Sequence, residues 1–410
     1  MLWVASKLVA VVYLAAPLVA VALVVRDVRR AKSSGPAWRF VALVVWAAVL
    51  GVGLTVIYGL VAGARVTVGQ AALTSYFALG LLLVLRAFAA GLDWALLRAT
   101  RRLRRGRPGA SVLATIVRTA LLVCVGLPYV MAAVMTYRPK VMPRDDPQRQ
   151  LGFAYESVTF RATDGTRVAG WWIPSQREGT GDRARRTVVV CHGLGASKSN
   201  QLVMARELMR GGWNVLAIDL RAHGESGGQL CTFGDRERLD VLAAVRWVRD
   251  ERPGQAERIF GVGASMGAAA LVAAAADPSP DGQHLDAIAV YGTYDDLRSL
   301  TRTASQRFPP PLGWLLRHLG LPMASVQTGV DLAAFVPAEL VAQVWPRPVL
   351  VIHGVHDEVI DFEHGRRLYN AALQPKGNLW IDRADHNSVV NDEAAAKAVA
   401  EFFDGAASVI

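Results

Sequence analysis

The sequence predicts an α/β fold, a mostly parallel sheet with helices on both faces, preceded by an all-α transmembrane region of about four helices. Two observations predict it. The apolar excess (52% of the 410 residues are hydrophobic) lies almost wholly before residue 137. From about residue 151 onward, short apolar runs alternate with segments of helical spacing, the pattern of strands joined by crossover helices. A third observation, a serine flanked by two glycines between one such strand and an Ala-rich helix, indicates what the fold carries.

Four apolar segments stand out in the first third, at about 8–25, 40–62, 70–90 and 113–136. Each is close to the roughly 20 residues a helix needs to cross the hydrocarbon core. Arg86 and Asp93 interrupt the end of the third, and Arg118 sits near the start of the fourth, placed to snorkel toward headgroups. The stretch after the first segment carries Arg26, Arg29, Arg30, Lys32 and Arg39. The stretch after the third carries Arg98, Arg101, Arg102, Arg104, Arg105 and Arg107, while the loop between the second and third has only Arg65. The excess of positive charge on cytoplasmic loops then puts both basic stretches in the cytoplasm, with the N-terminus and everything after the fourth helix outside. Lys7 and the Ala/Val-rich run after it also fit a cleaved signal peptide, but cleavage would move the Arg98–Arg107 loop outside, against the charge rule. The predicted location is therefore a multi-pass cell membrane protein with its C-terminal domain on the extracytoplasmic side. The formal net charge of +11 is spent largely on these loops, and no nucleic-acid module is recognisable, so nucleic-acid binding is not expected.

Residues 138–150 read as a polar linker, and 151–406 as one catalytic domain. Strands are expected at Tyr155–Arg161 and Arg167–Ile173, joined by a turn at Asp164-Gly165. Continuous apolar runs at Thr187–Cys191, Asn214–Leu220, Ile259–Val262, Ala287–Val290 and Pro348–Ile352 read as strands covered on both faces, with a further strand at Leu379–Ile381. Helices are expected at Ser199–Arg210, Arg236–Arg249, Met266–Ala276, Glu363–Leu373 and Ala394–Phe403. Residues 294–345 break the alternation with Pro309, Pro310 and Pro311 and the apolar stretch Leu312–Leu321, and read as an insertion forming a helical cap over the active site.

The chemistry is expected at four points. In Gly263-Ala264-Ser265-Met266-Gly267 the glycines allow a sharp strand-to-helix turn that holds the Ser265 hydroxyl at its apex as a nucleophile. The loop His192-Gly193-Leu194-Gly195 follows a strand. The backbone N–H groups of Leu194 and Met266 are the candidate donors of an oxyanion hole. His192 reads as structural. Asp357 lies just beyond the strand at 348–352, on the rim where such sheets place their sites, and His386 lies on the loop after the last strand. His386 would take and return the proton, with Asp357 fixing its tautomer. Among the rivals, Asp361 reads as a helix N-cap, Asp382 as a turn residue, and His353 and His356 as rim or packing residues. Cys124, Cys191 and Cys231 show no metal spacing and no disulfide framework, and Cys191 reads as a buried apolar residue.

With these motifs, residues 151–405 resemble the α/β-hydrolase superfamily, in particular its bacterial serine aminopeptidase-like and dipeptidyl-aminopeptidase-like branch. The resemblance extends to Asp219-Leu220-Arg221-Ala222-His223-Gly224-Glu225-Ser226-Gly227-Gly228 and to Phe233-Gly234 with Glu237 and Asp240. Ala222 stands where that branch usually has Gly, and Asp361 where it often has Pro. The resemblance implies the α/β-hydrolase fold and hydrolysis of carboxylic ester, thioester or amide bonds without metal or organic cofactor. It does not reach the membrane region. The expected substrate is a small or lipid-like acyl compound or a peptide; the lipid-like bias and contact with membrane lipids come from the predicted membrane location alone. The same triad would serve an acyltransferase, and a non-catalytic membrane scaffold of hydrolase-like fold is the alternative outside enzymes.

Overall fold

A computed structural model describes residues 125–409 except 138–139, 144, 176–181 and 309. The first three apolar segments lie outside the described residues, and so does the fourth up to residue 124. Its remainder forms helix α1, Leu127–Thr136. Among the described residues no helix is long and apolar enough to cross a membrane. The chain divides into two compact units, residues 1–130 with 305–319, and residues 131–304 with 320–410.

The second unit is built on one eight-stranded sheet: β1 Glu156–Arg161, β2 Arg167–Ile173, β3 Arg186–Cys191, β4 Asn214–Asp219, β5 Arg258–Ala264, β6 Leu285–Tyr291, β7 Val349–Gly354 and β8 Lys376–Ile381. Their spatial order is β1-β2-β4-β3-β5-β6-β7-β8. β2 runs antiparallel to both neighbours and all remaining pairs are parallel. The single reversal follows from the short connection at Asp164-Gly165, since parallel neighbours need a longer crossover.

Between the strands run α2 Leu202–Arg210, α3 Glu237–Glu251, α4 Met266–Ala275, α5 Leu297–Ser305, α6 Leu321–Thr328 and α7 Phe362–Ala371, and after β8 comes α8 Glu393–Val409. Alternate residues of each central strand feed opposite faces of the sheet. On β3, Val189 and Cys191 join the layer under α3 and α4, while Val188 and Val190 join the layer under α2 and α8. This two-sided burial is why the strand sequences read as continuous apolar runs. In the second layer Trp213, Phe260 and Phe403 pack edge-on and tilted, with ring centroids 4.9 to 6.1 Å apart. Every residue of α4 is buried, which its run of alanines permits against the sheet on one side and neighbouring helices on the other.

The element boundaries differ from expectation in places with local causes. The helix expected from Ser199 begins as a tight 3-10 turn, Lys198–Gln201, because the Asn200 side chain folds back to accept from the Ser197 N–H at 2.9 Å. The expected linker contains one helical turn, Pro147–Leu151, nucleated by the Asp146 carboxylate accepting from Arg149 N–H at 2.8 Å and by proline at the first position. The segment between β6 and β7 is largely helical. Its 320–345 portion contributes Ala324, Leu332 and Phe335 to a third apolar cluster with Ala269 and Ala273 of α4 and with Tyr294 and Leu297.

Candidate active site

The parallel strands end almost level. Cys191 lies opposite Gly263, Ala264 opposite Tyr291, Tyr291 opposite Ile352, and Gly354 opposite Ile381. The loops that follow β3, β5, β6, β7 and β8 therefore meet along one rim, where open α/β sheets hold their sites.

At the end of β5, Ser265 adopts φ 52° and ψ −118°, a strained conformation for a residue with a side chain, and α4 begins at the next residue. The turn closes only with glycine on both sides. A Cβ on Gly267 would stand 2.3 Å from the His192 carbonyl oxygen, and one on Gly263 would stand 2.7 Å from the Gly267 carbonyl. The β3 loop thus rests directly on the turn, and a Cβ on Gly193 would lie 3.2 Å from that of Ser265. Among the described residues the Ser265 hydroxyl has no hydrogen-bond partner, and neither do the N–H groups of Leu194 and Met266. Met266 N–H is one of the orphan donors at a helix start.

Asp357, on the loop after β7, is buried. Its Oδ1 accepts the N–H groups of Val359 and Ile360, each at 2.8 Å, and its Oδ2 lies 2.7 Å from Nδ1 of His386. The His386 loop is held by Asp385, whose Oδ1 accepts from the N–H groups of Asn387 and Ser388. It is further tied to the β7 loop by His356 N–H donating to the Ala384 carbonyl. Ser265 is joined to this pair through β6: its N–H donates to the Tyr291 carbonyl at 2.8 Å. A side chain on the next residue, Gly292, would come within 3.4 Å of His386 Nδ1 and 3.5 Å of Asp357 Oδ2. The structure forms the His386–Asp357 bond and sets Ser265 beside it, with no direct hydrogen bond between Ser265 and His386. The rim thus brings a hydroxyl, an imidazole and a carboxylate together beside a helix start whose first N–H is unpaired among the described residues.

A family profile described as Serine aminopeptidase, S33 matches residues 182–331. The YfhR protein of Escherichia coli O157:H7 is 30% identical over 237 residues, covering 58% of this chain and 75% of YfhR. The chain belongs to the α/β-hydrolase superfamily, in the family of YfhR. Another relative of this α/β-hydrolase, YqkD of Bacillus subtilis, is 28% identical over 222 residues, 53% of this chain and 71% of its own. Among solved structures, the Pyrococcus furiosus esterase Pf2001 superposes with a TM-score of 0.53 at 25% identity, covering 65% of this chain and 98% of that one. Fold and family together support hydrolase activity in general.

The other sequence-singled residues of the hydrolase domain fall as follows. Asp361 caps α7, accepting from Glu363 N–H at 2.9 Å. Cys191 and Cys231 are buried and form no disulfide, and burial raises the Cys191 thiol pKa well beyond the neutral range, so it is no nucleophile. His192 is structural, as read: its Nε2 accepts the Leu220 N–H at 3.1 Å and its Nδ1 donates to the Gly193 carbonyl at 2.7 Å. Burial first, and the facing His223 second, push its pKa down to about 4, which keeps it neutral. His223 repeats the pattern, accepting from Gly195 N–H at 3.0 Å. The two imidazoles therefore fasten both ends of the loop that carries Leu194.

Sequence reasoning left His353 open between rim and packing, and missed a cavity. The structure takes the second reading for His353, which is fully buried against Asp357. A cavity of about 440 Å³ is lined by linker residues Val141, Met142 and Asp145 together with Ser199, Asn200 and Asn391. No motif signals either, because both arise from segments distant in the chain.

Proposed function

We propose that this chain is a serine hydrolase that cleaves carboxylic esters, and secondarily thioesters or amides, through an acyl-enzyme. Ser265 is the nucleophile, His386 the general base and then acid, and Asp357 the orienting carboxylate. Ser265 Oγ adds to the substrate carbonyl carbon as its proton passes to His386 Nε2. The carbonyl oxygen becomes an oxyanion facing the N–H groups of Leu194 and Met266. Collapse breaks the bond to the leaving alcohol, thiol or amine, which takes the proton from His386. Water then adds to the acyl-enzyme with His386 again as base, and the carboxylic acid leaves with Ser265 restored. Asp357 keeps the proton on Nδ1, so that Nε2 can accept, and stabilises the imidazolium that forms transiently. The observation that supports this most is the 2.7 Å contact between His386 Nδ1 and Asp357 Oδ2, 29 residues apart, on the rim where Ser265 takes its strained turn. No metal or organic cofactor enters the scheme.

A fluorophosphonate probe tests the nucleophile: the wild-type protein is expected to be labelled and Ser265→Ala not. Labelling of the variant to the same extent refutes the assignment. We further infer from the charge pattern of the apolar segments that the domain is tethered to a membrane on its extracytoplasmic face, which biases substrates toward lipid-linked or envelope acyl compounds. A periplasm-active reporter fused after Ile410 should be active; activity of a cytoplasm-only reporter there reverses the topology.

A further inference from the structure

Asp357 is touched by two histidines. His386 is partly open to solvent, whereas the ring of His353 has no exposure at all. Nε2 of His353 lies 2.9 Å from the Ile360 carbonyl oxygen and 3.5 Å from Asp357 Oδ2, the oxygen that also holds His386. A carbonyl can only accept, so Nε2 carries the ring proton, and it points into the gap between that carbonyl and the carboxylate. Nδ1 is then an acceptor, and it is buried without a hydrogen-bond partner. The ring is wedged there by α7: a Cβ on Gly365 would stand 2.5 Å from Nδ1, and Phe362 meets the ring edge-on at 6.0 Å. The charged and titratable groups facing the ring are Asp357, His386 and His364, and burial lowers its pKa, so it stays neutral.

A packing residue needs no such arrangement. Leu or Met would fill the space without leaving a buried nitrogen unpaired. The donor end closes a small ring of contacts instead. Ile360 gives its N–H to Asp357 Oδ1 and its carbonyl to His353, so the imidazole ties down the segment that supplies Asp357 with its backbone donors.

We propose that His353 is a positioning residue for the triad: its Nε2–H clamps the Asp357–Ile360 loop and lies against Asp357 Oδ2, fixing the carboxylate on His386. This rests on the reading of Ser265, Asp357 and His386 as the triad.

The test compares three substitutions in the full-length protein, measuring hydrolysis of a short p-nitrophenyl ester and the rate of fluorophosphonate labelling across pH. His353→Gln places an amide N–H near the position of Nε2. His353→Asn places one near Nδ1 only, and His353→Met removes both. Gln should stay within about threefold of wild type in kcat, while Asn and Met fall about tenfold or more with KM nearly unchanged, as expected when a reacting group is misplaced and binding is intact. The acid limb of the labelling rate should move to lower pH in Asn and Met, because an imidazolium less well held by Asp357 loses its proton more readily. Equal behaviour of Gln and Asn, or a Met variant with wild-type kcat, overturns the proposal. Comparing the two polar variants keeps the outcome decisive even where Met fails to fold. Ser265→Ala run alongside separates the two failures: labelling that survives it sinks the triad itself, whatever His353 does.

Discussion

Two polar clusters share the same end of the sheet and treat their hydrogen-bonding capacity in opposite ways. At the end of β4, Asp219 is fully buried and saturated: it accepts the Lys198 N–H at 2.7 Å, the Lys198 ammonium at 2.6 Å and the Glu225 N–H at 2.9 Å. Lys198 is itself buried, lies over the Trp171 ring at 4.7 Å and reaches Glu225 as well. Nearby, Arg221 bridges Asp240 and Asp164. Around Ser265 the reverse holds. Among the described residues, one hydroxyl and two backbone N–H groups stand without partners beside a histidine whose own partner is fixed. The first cluster spends its buried charges on one another, so it serves as scaffold for the loops around it. The second keeps its unmet valences where a reacting carbonyl would supply them.

That contrast predicts opposite phenotypes. Ser265→Ala should abolish ester hydrolysis, a fall of about 10⁴-fold or more, while leaving the thermal midpoint near that of wild type. Lys198→Met should do the reverse first: it strands the Asp219 carboxylate in the interior, at a cost of about 3–5 kcal/mol in denaturant unfolding, and activity should fall only as far as folded protein is lost. A Lys198→Met protein of wild-type stability would show that the buried pair is not the scaffold described. Gly267→Ala lies between the clusters. The added methyl meets the His192 carbonyl, so about 1–3 kcal/mol of stability should go together with a loss of labelling at Ser265. Labelling unimpaired in that variant would mean the turn tolerates displacement.

The sequence made the saturated and the open cluster unequally legible. Ser265, Asp357 and His386 could be picked out as candidates because each follows a strand's C-terminal end and the strands are readable as apolar runs. The candidate N–H donors at Leu194 and Met266 followed from the same placement. The helix cap at Asp361 was legible because capping is local. His353 was not, since its role depends on α7 pressing Gly365 onto the ring, a contact no periodicity encodes. The one-turn helix at Pro147 lay hidden in a stretch whose polar composition reads as linker, although Asp146-Pro147 carried its start signal. Lys198 illustrates the same limit. Nothing local in Ser197-Lys198-Ser199-Asn200 marks the lysine as buried; Asp219 and Glu225, brought over by β4, make its burial tolerable.

The smallest expected effect marks the edge of the saturated cluster. Asp164 is about one-third exposed, and its carboxylate meets Arg221 Nη1 at 2.6 Å and Thr166 N–H at 3.1 Å. Burial alone would raise its pKa, but the Arg221 guanidinium and Thr166 more than offset that and hold it at about 2. A carboxyl depressed in the folded state favours folding above its unfolded pKa of about 4, and the contribution is lost as pH falls through about 2. Solvent screening keeps the pair weak, so Asp164→Asn should cost under about 1 kcal/mol at neutral pH. The two proteins should converge in stability as the pH approaches 2. Asn keeps an oxygen for Thr166 and loses only the charge, so a gap that stayed constant down to that pH would assign the contribution to packing of the β1–β2 turn instead of to the ion pair with Arg221.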